Sequence, residues 1–286
     1  MGESRRPDVK GDGMSEGPRY HIMFRTTEGV RGVPRPFGLD MRTVIKASFL
    51  SLYETVKPFP HVIHVLGDRL SEDLKAFFAR LAGRDPMITV HLEDCDSGES
   101  IRQSLSLALS VPDGEWVYFC EDDYLHRPEA FVLIDELIRS RAEALRFEPG
   151  RWFMKLLFHN ANRAPLIIHP ADYPDRYEPA RRQFSLLYIT RLNHWRQISS
   201  TTHTFMAEAG TIRRYAKVIR QSSLPPRDFY LSRHMYSHIF FRGRGLCVSP
   251  IPGVATHMTE GVMTPLVDWE SLLQEMLAKI KKLQES

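Results

Sequence analysis

Short apolar runs alternate with amphipathic segments along the first half of the chain. Four runs rich in β-branched and aromatic residues predict strands, and four segments whose apolar residues recur every three or four positions predict helices. The predicted strands cover residues 20–27, 61–66, 87–92 and 116–120, and the predicted helices cover residues 41–56, 71–81, 98–109 and 128–139. This order implies an α/β fold with a mostly parallel sheet covered by helices.

Residues beyond 140 follow a less regular pattern. Strands are predicted at residues 152–158, 184–190 and 245–249, helices at 211–220 and 229–241, and a loop or lid over the Pro-, Asn- and Arg-rich residues 159–182. The last predicted helix, residues 269–283, is amphipathic. Its apolar face predicts packing on its own domain or on a partner, including a second copy of the chain, or contact with a membrane surface.

Four segments follow from these patterns. Residues 1–18 are polar and Gly-rich and are expected to be a disordered leader. Residues 19–140 form the regular α/β half, residues 141–268 form the second half of the same domain, and residues 269–286 form the C-terminal helix.

Composition narrows the class of protein. With 286 residues, 43% hydrophobic and 26% charged, the chain is long enough for one α/β domain with a substantial core. The three cysteines are far apart in apolar runs, which favours buried free thiols in a reducing compartment. No apolar run reaches the roughly 18 residues that span a bilayer. We therefore expect a cytoplasmic protein, at most peripheral to the inner membrane.

Charge is divided unevenly along the chain. Residues 1–140 carry 17 Lys and Arg against 23 Asp and Glu, whereas residues 141–286 carry 21 against 12. An acidic half can hold a cation, and a basic half can face phosphate or an anionic acceptor, although solvated surface charge has the same pattern. The basic residues are scattered and show no helix-turn-helix or zinc-finger spacing, which argues against nucleic acid as a partner.

Three consecutive carboxylates, Glu121, Asp122 and Asp123, follow the predicted strand at 116–120. Like charges at contact distance destabilise a fold unless a positive group relieves them. Hard divalent ions such as Mg²⁺ and Mn²⁺ do so, because they bind carboxylate and phosphate oxygens. The alternative is an acidic cluster at the start of the helix that Pro128 opens, stabilised by the helix dipole.

Other polar residues follow the other predicted strands. Thr26 follows the first strand, Asp68 the second and Asp94 the third. Ligands of parallel sheets bind outside the carboxyl ends of the strands, so these residues and the acidic cluster are expected to gather along one edge.

The stretch from Gly114 to Pro128 resembles the metal-binding segment of GT-A fold glycosyltransferases, particularly glycosyltransferase family 2. In that family an apolar strand ends in Asp-x-Asp and a proline follows. Glu121 stands where the family has the first Asp, and Asp123 matches the second. The resemblance covers roughly residues 20–140. It implies a GT-A fold whose first half binds a nucleotide sugar and whose second half binds the acceptor.

The resemblance also implies individual roles. Asp123 would ligate Mn²⁺ or Mg²⁺ directly, and Glu121 would reach the metal through water or contact a ribose hydroxyl. Asp122, the middle residue, is expected to point away or to contribute to the donor site. Residues 98–103 are similar to a Gly-x-x-x-Arg-Asn stretch that would bring Arg102 near the donor, and Asp68 is similar to an Asp that contacts the nucleobase.

An inverting transferase needs a base for the acceptor hydroxyl. In family 2 this base is an Asp at the start of a helix, and Asp228 follows two prolines at such a position. Arg227 replaces the family's usual Glu. A helix cap is the alternative role of Asp228, and one residue can do both.

Three residues further along the chain are candidates for the same site. His257 resembles the late His that completes the metal shell in some GT-A enzymes, although a loop or core His has the same pattern. His203 and Thr204 lie in a stretch similar to the acceptor-side segment of these enzymes, and a polar loop is the alternative.

The sequence therefore predicts a metal-dependent glycosyltransferase that moves a sugar from a nucleotide-diphosphate sugar to a hydroxyl of an acceptor. The donor is expected to be UDP-linked rather than GDP-linked, and the acceptor to be a glycan or lipid-linked, as in cell-surface glycan synthesis. Inversion is the leading expectation. The alternatives are a retaining GT-A transferase and a catalytically inactive nucleotide- or carbohydrate-binding protein. A nucleotidyltransferase is disfavoured because no Gly-rich loop with Arg and Lys follows the first strand.

Overall fold

A computed structural model describes residues 19–29, 33–146, 164–179, 185–223, 225–236 and 244–285. The described strands are β1 (Tyr20–Thr27), β2 (His61–Asp68), β3 (Ile88–Glu93), β4 (Trp116–Glu121), β5 (Tyr124–His126), β6 (Leu166–Ile168), β7 (Leu187–Ile189), β8 (His194–Ile198), β9 (Phe205–Glu208), β10 (Leu246–Ile251) and β11 (Ala255–His257). The described helices are α1 (Met41–Val56), α2 (Glu72–Ala82), α3 (Ser97–Leu109), α4 (Ala130–Ala144), α5 (Ala209–Ser222), α6 (Asp228–Met235) and α7 (Trp269–Glu285). The predicted leader 1–18 and the predicted strand 152–158 lie outside the described residues.

The α/β fold predicted from the pattern is confirmed. A nine-stranded sheet has the order β3-β2-β1-β4-β9-β6-β10-β8-β7 among the described strands. β3, β2, β1 and β4 run parallel, so their carboxyl ends meet at one edge. The register brings Thr27 opposite Asp68 and Arg25 opposite Glu121. This alignment brings the polar residues after β1, β2 and β4 together.

The second half of the chain extends this sheet with mixed pairing. β9 pairs antiparallel with both β4 and β6, β6 pairs parallel with β10, and β8 and β7 continue antiparallel to the edge. The pattern of residues did not predict β6, β8 or β9, and β6 falls inside the predicted loop or lid. These strands have three to five residues each, too few for a period to emerge, and they are stabilised by their neighbours in the sheet.

Helices cover both faces of the sheet. On one face α1, α2, α4 and α7 bury a core with Tyr20, Ile22 and Phe24, and on the other face α3, α5 and α6 bury a second core with Met23. This division follows from the strand period of two, which sends successive side chains of β1 to opposite faces. The site therefore lies at the end of a sheet that is packed on both sides.

The C-terminal helix α7 packs on α1 and on the first core. Leu272, Leu273, Met276 and Ile280 are buried, and Lys279 Nζ lies 3.3 Å from a carboxylate oxygen of Glu54 on α1. The apolar face that suggested a membrane surface or a second copy is thus used inside the domain. Within the described residues, no helix has the length and apolar character needed to cross a membrane.

The segment between β4 and α4 differs most from its prediction. Pro128 does not open the helix, which begins at Ala130, because the short strand β5 comes first and pairs antiparallel with β11. This pairing carries the turn Asp122–Asp123 toward His257 at the end of β11. Thr55 on α1 holds the segment between β5 and α4 by donating a hydrogen bond to the Pro128 carbonyl at 2.9 Å.

Candidate active site

A cleft of about 310 Å³ opens at the carboxyl ends of the parallel strands, a size within the range of ligand pockets. Its lining comes from the strand ends, from the start of α3 and from the second half of the chain: Arg25, Thr26, Thr27, Val33, Arg35, Asp68, Ser97, Ser100, Glu121, Asp122, Asp123, Thr202, Asp228, His257 and Thr259. Of the predicted site residues, Thr26, Asp68, the acidic cluster, Asp228 and His257 thus share one cleft.

Asp123 is held by an arginine and a histidine from distant parts of the chain. Arg35 Nη1 donates to its Oδ2 at 2.8 Å, and His257 Nε2 donates to the same oxygen at 2.9 Å. Burial alone would raise the pKa of Asp123, but these two partners outweigh it and hold that pKa below its ordinary value. Asp123 is therefore a carboxylate whose charge is stabilised before any ligand arrives.

His257 gains its orientation from β5. Its ring stacks on Tyr124, with centroids 5.1 Å apart and planes at 3°. Burial lowers the pKa of His257, but the hydrogen bond and charge of Asp123 raise it more, so the net shift is upward. In this arrangement His257 is a donor to Asp123; as a metal ligand it would have to give up that proton.

Asp122 does not point away from the cleft. Its Oδ2 accepts a hydrogen bond from the backbone amide of Thr27 at 2.8 Å, which ties the turn after β4 to the end of β1. Burial and the neighbouring charge of Asp123 raise the pKa of Asp122. Asp122 is thus more readily protonated than Asp123, and its contact with β1 lies in the lining of the cleft.

Glu121 is clamped from two sides. Arg25 Nη2 donates to its Oε1 at 3.1 Å, and the Thr204 hydroxyl donates to its Oε2 at 3.0 Å. Thr204 is fully buried, and its hydroxyl oxygen also accepts the Glu121 amide at 3.1 Å. The side chain of Glu121 therefore has a fixed position at the end of β4.

Asp68 joins the ends of three strands. Its carboxylate accepts from Arg69 Nε at 3.0 Å and Nη2 at 2.9 Å, from the Cys95 amide at 3.1 Å and from the Thr27 hydroxyl at 3.2 Å. Burial opposes the effect of these donors, which keep the pKa of Asp68 below its ordinary value. Four donors fill the acceptor capacity of a carboxylate, so the predicted contact of Asp68 with a nucleobase would require one of them to move.

Asp228 begins α6 and lines the same cleft as the end of β1. Its side chain is 52% exposed, and its Oδ1 lies 2.6 Å from Nδ1 of His203. His203 is 5% exposed, and its Nε2 lies 3.0 Å from the hydroxyl of the fully buried Ser222. Asp228 is therefore an accessible carboxylate with a buried support behind it. No side-chain cap bond forms at the start of α6, and the N-cap position belongs to Arg227.

Four predicted site residues do not line the cleft. Arg102 lies on α3 and donates to Glu99 at 2.8 Å, and the 87% exposed Asp94 lies 3.7 Å from Arg69. His203 and Thr204, the predicted acceptor contacts, lie behind Asp228 and Glu121. Each of these two supports a carboxylate that does line the cleft.

Arg25 and Arg35 were not predicted from the sequence. Arg25 carried a signal, because a charged residue inside the apolar strand β1 needs a partner when it is buried. Arg35 sits in a Pro-flanked loop and reaches Asp123, the Met258 carbonyl at 2.9 Å and the Thr259 hydroxyl at 3.2 Å. Those contacts depend on tertiary folding, so the local sequence pattern could not predict them.

The donor set fits a divalent cation that arrives with a phosphate ligand. Within the described residues, no three His, Cys, Asp or Glu side chains converge as a complete metal cage. Mg²⁺ and its relatives commonly bind through one or two carboxylates together with substrate phosphates and water. Arg35 and His257 both bond Oδ2 of Asp123, and Glu121 lines the same cleft.

The net charge of the residues that line the cleft also fits a divalent cation that arrives with a phosphate ligand. Five carboxylates and two guanidinium groups face the cleft, a formal charge of −3 with His257 neutral. An anionic diphosphate entering alone would be repelled by this field, whereas a diphosphate carrying a divalent cation would not. The lining therefore combines an acidic turn at the end of β4 with a separate, accessible carboxylate, Asp228.

Comparison with known proteins gives likeness in structure only. No protein-family model and no curated protein matches the chain. Among solved structures the chain is similar to residues 1–349 of TarS from S. aureus, at 15% identity and TM-score 0.38, covering 70% of this chain and 49% of that chain. It is also similar to the mannosyltransferase PcManGT from Pyrobaculum calidifontis in complex with GDP-Man and Mn²⁺, at 16% identity and TM-score 0.32, covering 58% of this chain and 46% of that chain.

A third likeness covers more of the chain. The structure is similar to 4-diphosphocytidyl-2C-methyl-D-erythritol synthase at 12% identity and TM-score 0.40, covering 92% of this chain and 98% of that chain. The chain matches about half the length of TarS 1–349 and of PcManGT. At these TM-scores the likenesses carry no argument about activity, which has to come from the side chains of the cleft.

Proposed function

We propose that the protein is a GT-A-type glycosyltransferase that moves a sugar from a nucleotide-diphosphate sugar to an acceptor hydroxyl. One observation carries the proposal: Asp123, at the end of the parallel sheet, and Asp228, at the start of α6, line the same cleft. An acidic turn suited to a metal–diphosphate and a separate accessible carboxylate are the two parts that such a transfer needs.

The first part concerns the leaving group. Asp123 and Glu121 would hold Mn²⁺ or Mg²⁺, with His257 beside them as a further ligand or as the donor that orients Asp123. The metal would neutralise the charge that develops on the diphosphate as the glycosidic bond breaks. Thr26, Thr27, Ser97 and Ser100 would offer hydroxyl groups to the nucleotide along the strand ends and α3.

The second part concerns the acceptor. In an inverting transfer Asp228 would take the proton from the acceptor hydroxyl while that oxygen bonds to the anomeric carbon. The electron pair of the broken bond would leave with the nucleoside diphosphate. We propose a UDP-sugar donor in preference to a GDP-sugar, and a glycan or lipid-linked acceptor such as one used in cell-surface glycan synthesis.

Titration calorimetry with UDP and with GDP, each with and without Mn²⁺, tests the donor site. We expect binding that depends on Mn²⁺ and is stronger for UDP. Absence of nucleotide binding in both conditions would contradict the proposal. A thermal-shift panel of UDP-glucose, UDP-galactose, UDP-N-acetylglucosamine and GDP-mannose with Mn²⁺ then selects the donor, because a bound ligand raises stability by mass action.

The configuration of the product tests the role of Asp228. NMR of the transferred sugar should show an inverted anomeric centre. Retained configuration would leave the transferase proposal in place and remove the base role from Asp228, because a retaining enzyme does not use a base on that face of the sugar.

A further inference from the structure

Asp228, His203 and Ser222 form a chain of hydrogen-bonding groups that runs from the cleft into the core. Asp228 Oδ1 lies 2.6 Å from His203 Nδ1, and His203 Nε2 lies 3.0 Å from Ser222 Oγ. Exposure falls along this chain, from 52% for the Asp228 side chain to 5% for His203 and 0% for Ser222. The Asp228 carboxylate is therefore the end of this chain that a substrate can reach, and Ser222 is the buried end.

This connectivity matches that of a Ser-His-Asp triad, but its orientation relative to the solvent is reversed. Ser222 has no access to the cleft, so it cannot act as a nucleophile on a bound substrate. Its hydroxyl also lies 2.7 Å from the Ile219 carbonyl, one turn back in α5. Ser222 is thus a fixed anchor for the imidazole.

The geometry sets the direction of the bond to Asp228. An ionised carboxylate can only accept a hydrogen bond, so Nδ1, the ring nitrogen that lies 2.6 Å from Asp228 Oδ1, is the donor of this pair. Ser222 Oγ holds the other ring nitrogen.

We propose that His203 is a positioning residue for the base of the transfer reaction. Its Nδ1–H holds Oδ1 of Asp228 in place, so that Oδ2 is the oxygen left to receive the proton of the acceptor hydroxyl. Asp228 stands at the first position of a helix of only eight residues, with no cap bond to fix it locally. The buried imidazole supplies the restraint that the short helix does not. The inference rests on the proposed function.

Two substitutions of the same residue separate the bonds of the imidazole. His203→Asn keeps a donor at the position of Nδ1 and loses the reach to Ser222. His203→Gln keeps a donor at the position of Nε2 and loses the bond to Asp228. The assay is Mn²⁺-dependent nucleotide release from the nucleotide sugar that the thermal-shift panel selects, with water as the acceptor.

We expect His203→Gln to lower kcat by about 100-fold, the cost of misplacing a reacting group by about 1 Å, with KM for the donor within about two-fold of wild type. His203→Asn should retain several times more of kcat than His203→Gln. Wild-type kcat in His203→Gln, or equal loss in both variants, would overturn the inference. A purely structural histidine would not give the Asn variant this advantage.

His61 provides the matched control. It is a buried histidine whose Nε2 lies 3.2 Å from Asp85, but it starts β2, about 23 Å of strand away from the end that carries the cleft. His61→Gln should leave kcat unchanged. If the His203 variants do not fold, as judged by circular dichroism, Ser222→Ala decides: lower kcat at unchanged KM supports the inference, and unchanged kcat overturns it.

Asp228→Asn separates this inference from the proposed function. Loss of nucleotide release in Asp228→Asn, together with wild-type kcat in His203→Gln, overturns only the role of His203. Full nucleotide release in Asp228→Asn would remove the base itself and, with it, any need for His203 to position one.

Discussion

His257 Nε2 lies 2.9 Å from Oδ2 of Asp123, so the end of β11 is bonded to the turn that follows β4. The pairing of β5 with β11 makes this contact possible, because it brings two segments that are far apart in the sequence side by side. Arg35 bonds the same oxygen. The candidate metal ligand is therefore the meeting point of three separate parts of the sequence.

Substitution of Asp123 tests the metal site. Asp123→Ala should lower Mn²⁺-dependent nucleotide affinity by roughly 100-fold or more, because it removes the carboxylate that would ligate the ion. Titration calorimetry measures the affinity, and circular dichroism checks the fold. Asp113→Ala is the control, since Asp113 is an exposed carboxylate paired with Arg213 near the opposite end of β4. Unchanged Mn²⁺-dependent binding in Asp123→Ala would contradict the assignment.

Arg35 should stabilise the protein through Asp123. Arg35→Met removes one partner of a buried ion pair whose side chains are 7% and 12% exposed, and we expect the free energy of unfolding to fall by about 3 kcal/mol. Urea unfolding measures the loss.

The thermal midpoint measured with and without Mn²⁺ tests the Arg35–Asp123 pair in a second way. An ion on Asp123 would replace part of the lost charge, so Mn²⁺ should raise the thermal midpoint of Arg35→Met more than that of wild type. Arg42→Met is the control, because Arg42 is 58% exposed in its pair with Glu28 and its removal should change the free energy of unfolding far less. Equal losses in the two variants would argue against the role of Arg35.

Two buried histidines predict how stability depends on pH. Burial lowers the pKa of His126 and of His169 to about 3 in the folded protein, whereas an unfolded histidine titrates near pH 6.5. Below about pH 6.5 the unfolded chain binds protons that the folded chain does not, so stability falls as the pH falls. Between pH 7 and pH 5 each of these histidines should lower the free energy of unfolding by about 2 kcal/mol.

His126→Gln isolates one of these contributions. A glutamine can still reach the Tyr118 hydroxyl, which lies 2.8 Å from His126 Nε2, but it does not titrate. The free energy of unfolding, measured with urea, should fall between pH 7 and pH 5 by about 2 kcal/mol less in His126→Gln than in wild type. The exposed His194 serves as the control for replacing a histidine. The same loss in His126→Gln as in wild type would contradict a buried neutral imidazole.

Gly98 should tolerate no side chain. A Cβ at this position of α3 would overlap the backbone carbonyl oxygen of Ser223, directly after the anchor Ser222. Gly98→Ala should therefore cost about 1–3 kcal/mol in urea unfolding and lower nucleotide release by displacing that segment. Gly83→Ala, where the new Cβ meets the Ala79 carbonyl at an ordinary 3.4 Å, should have little effect. Wild-type stability and activity in Gly98→Ala would contradict the close packing of α3 on this segment.

The sequence by itself determined the parallel half of the fold. β1 to β4 and α1 to α3 lie within two residues of their predicted bounds, because each is long enough to show its period and to end at a polar or Gly-containing turn. It also determined that Thr26, Asp68 and the acidic cluster would meet, because parallel strands bring their carboxyl ends to one edge.

Tertiary structure alone decided how the acidic cluster and Asp228 are supported. Arg35 and His257 reach Asp123, and Ser222 stands behind His203, through pairings between residues far apart in the sequence, which no local period records. The short strands β6, β8 and β9 exist for the same reason, since the sheet on either side supplies their hydrogen bonds. The local sequence pattern predicted that the carboxylates lie at the ends of strands and helices. Long-range packing determined which groups bond to them there.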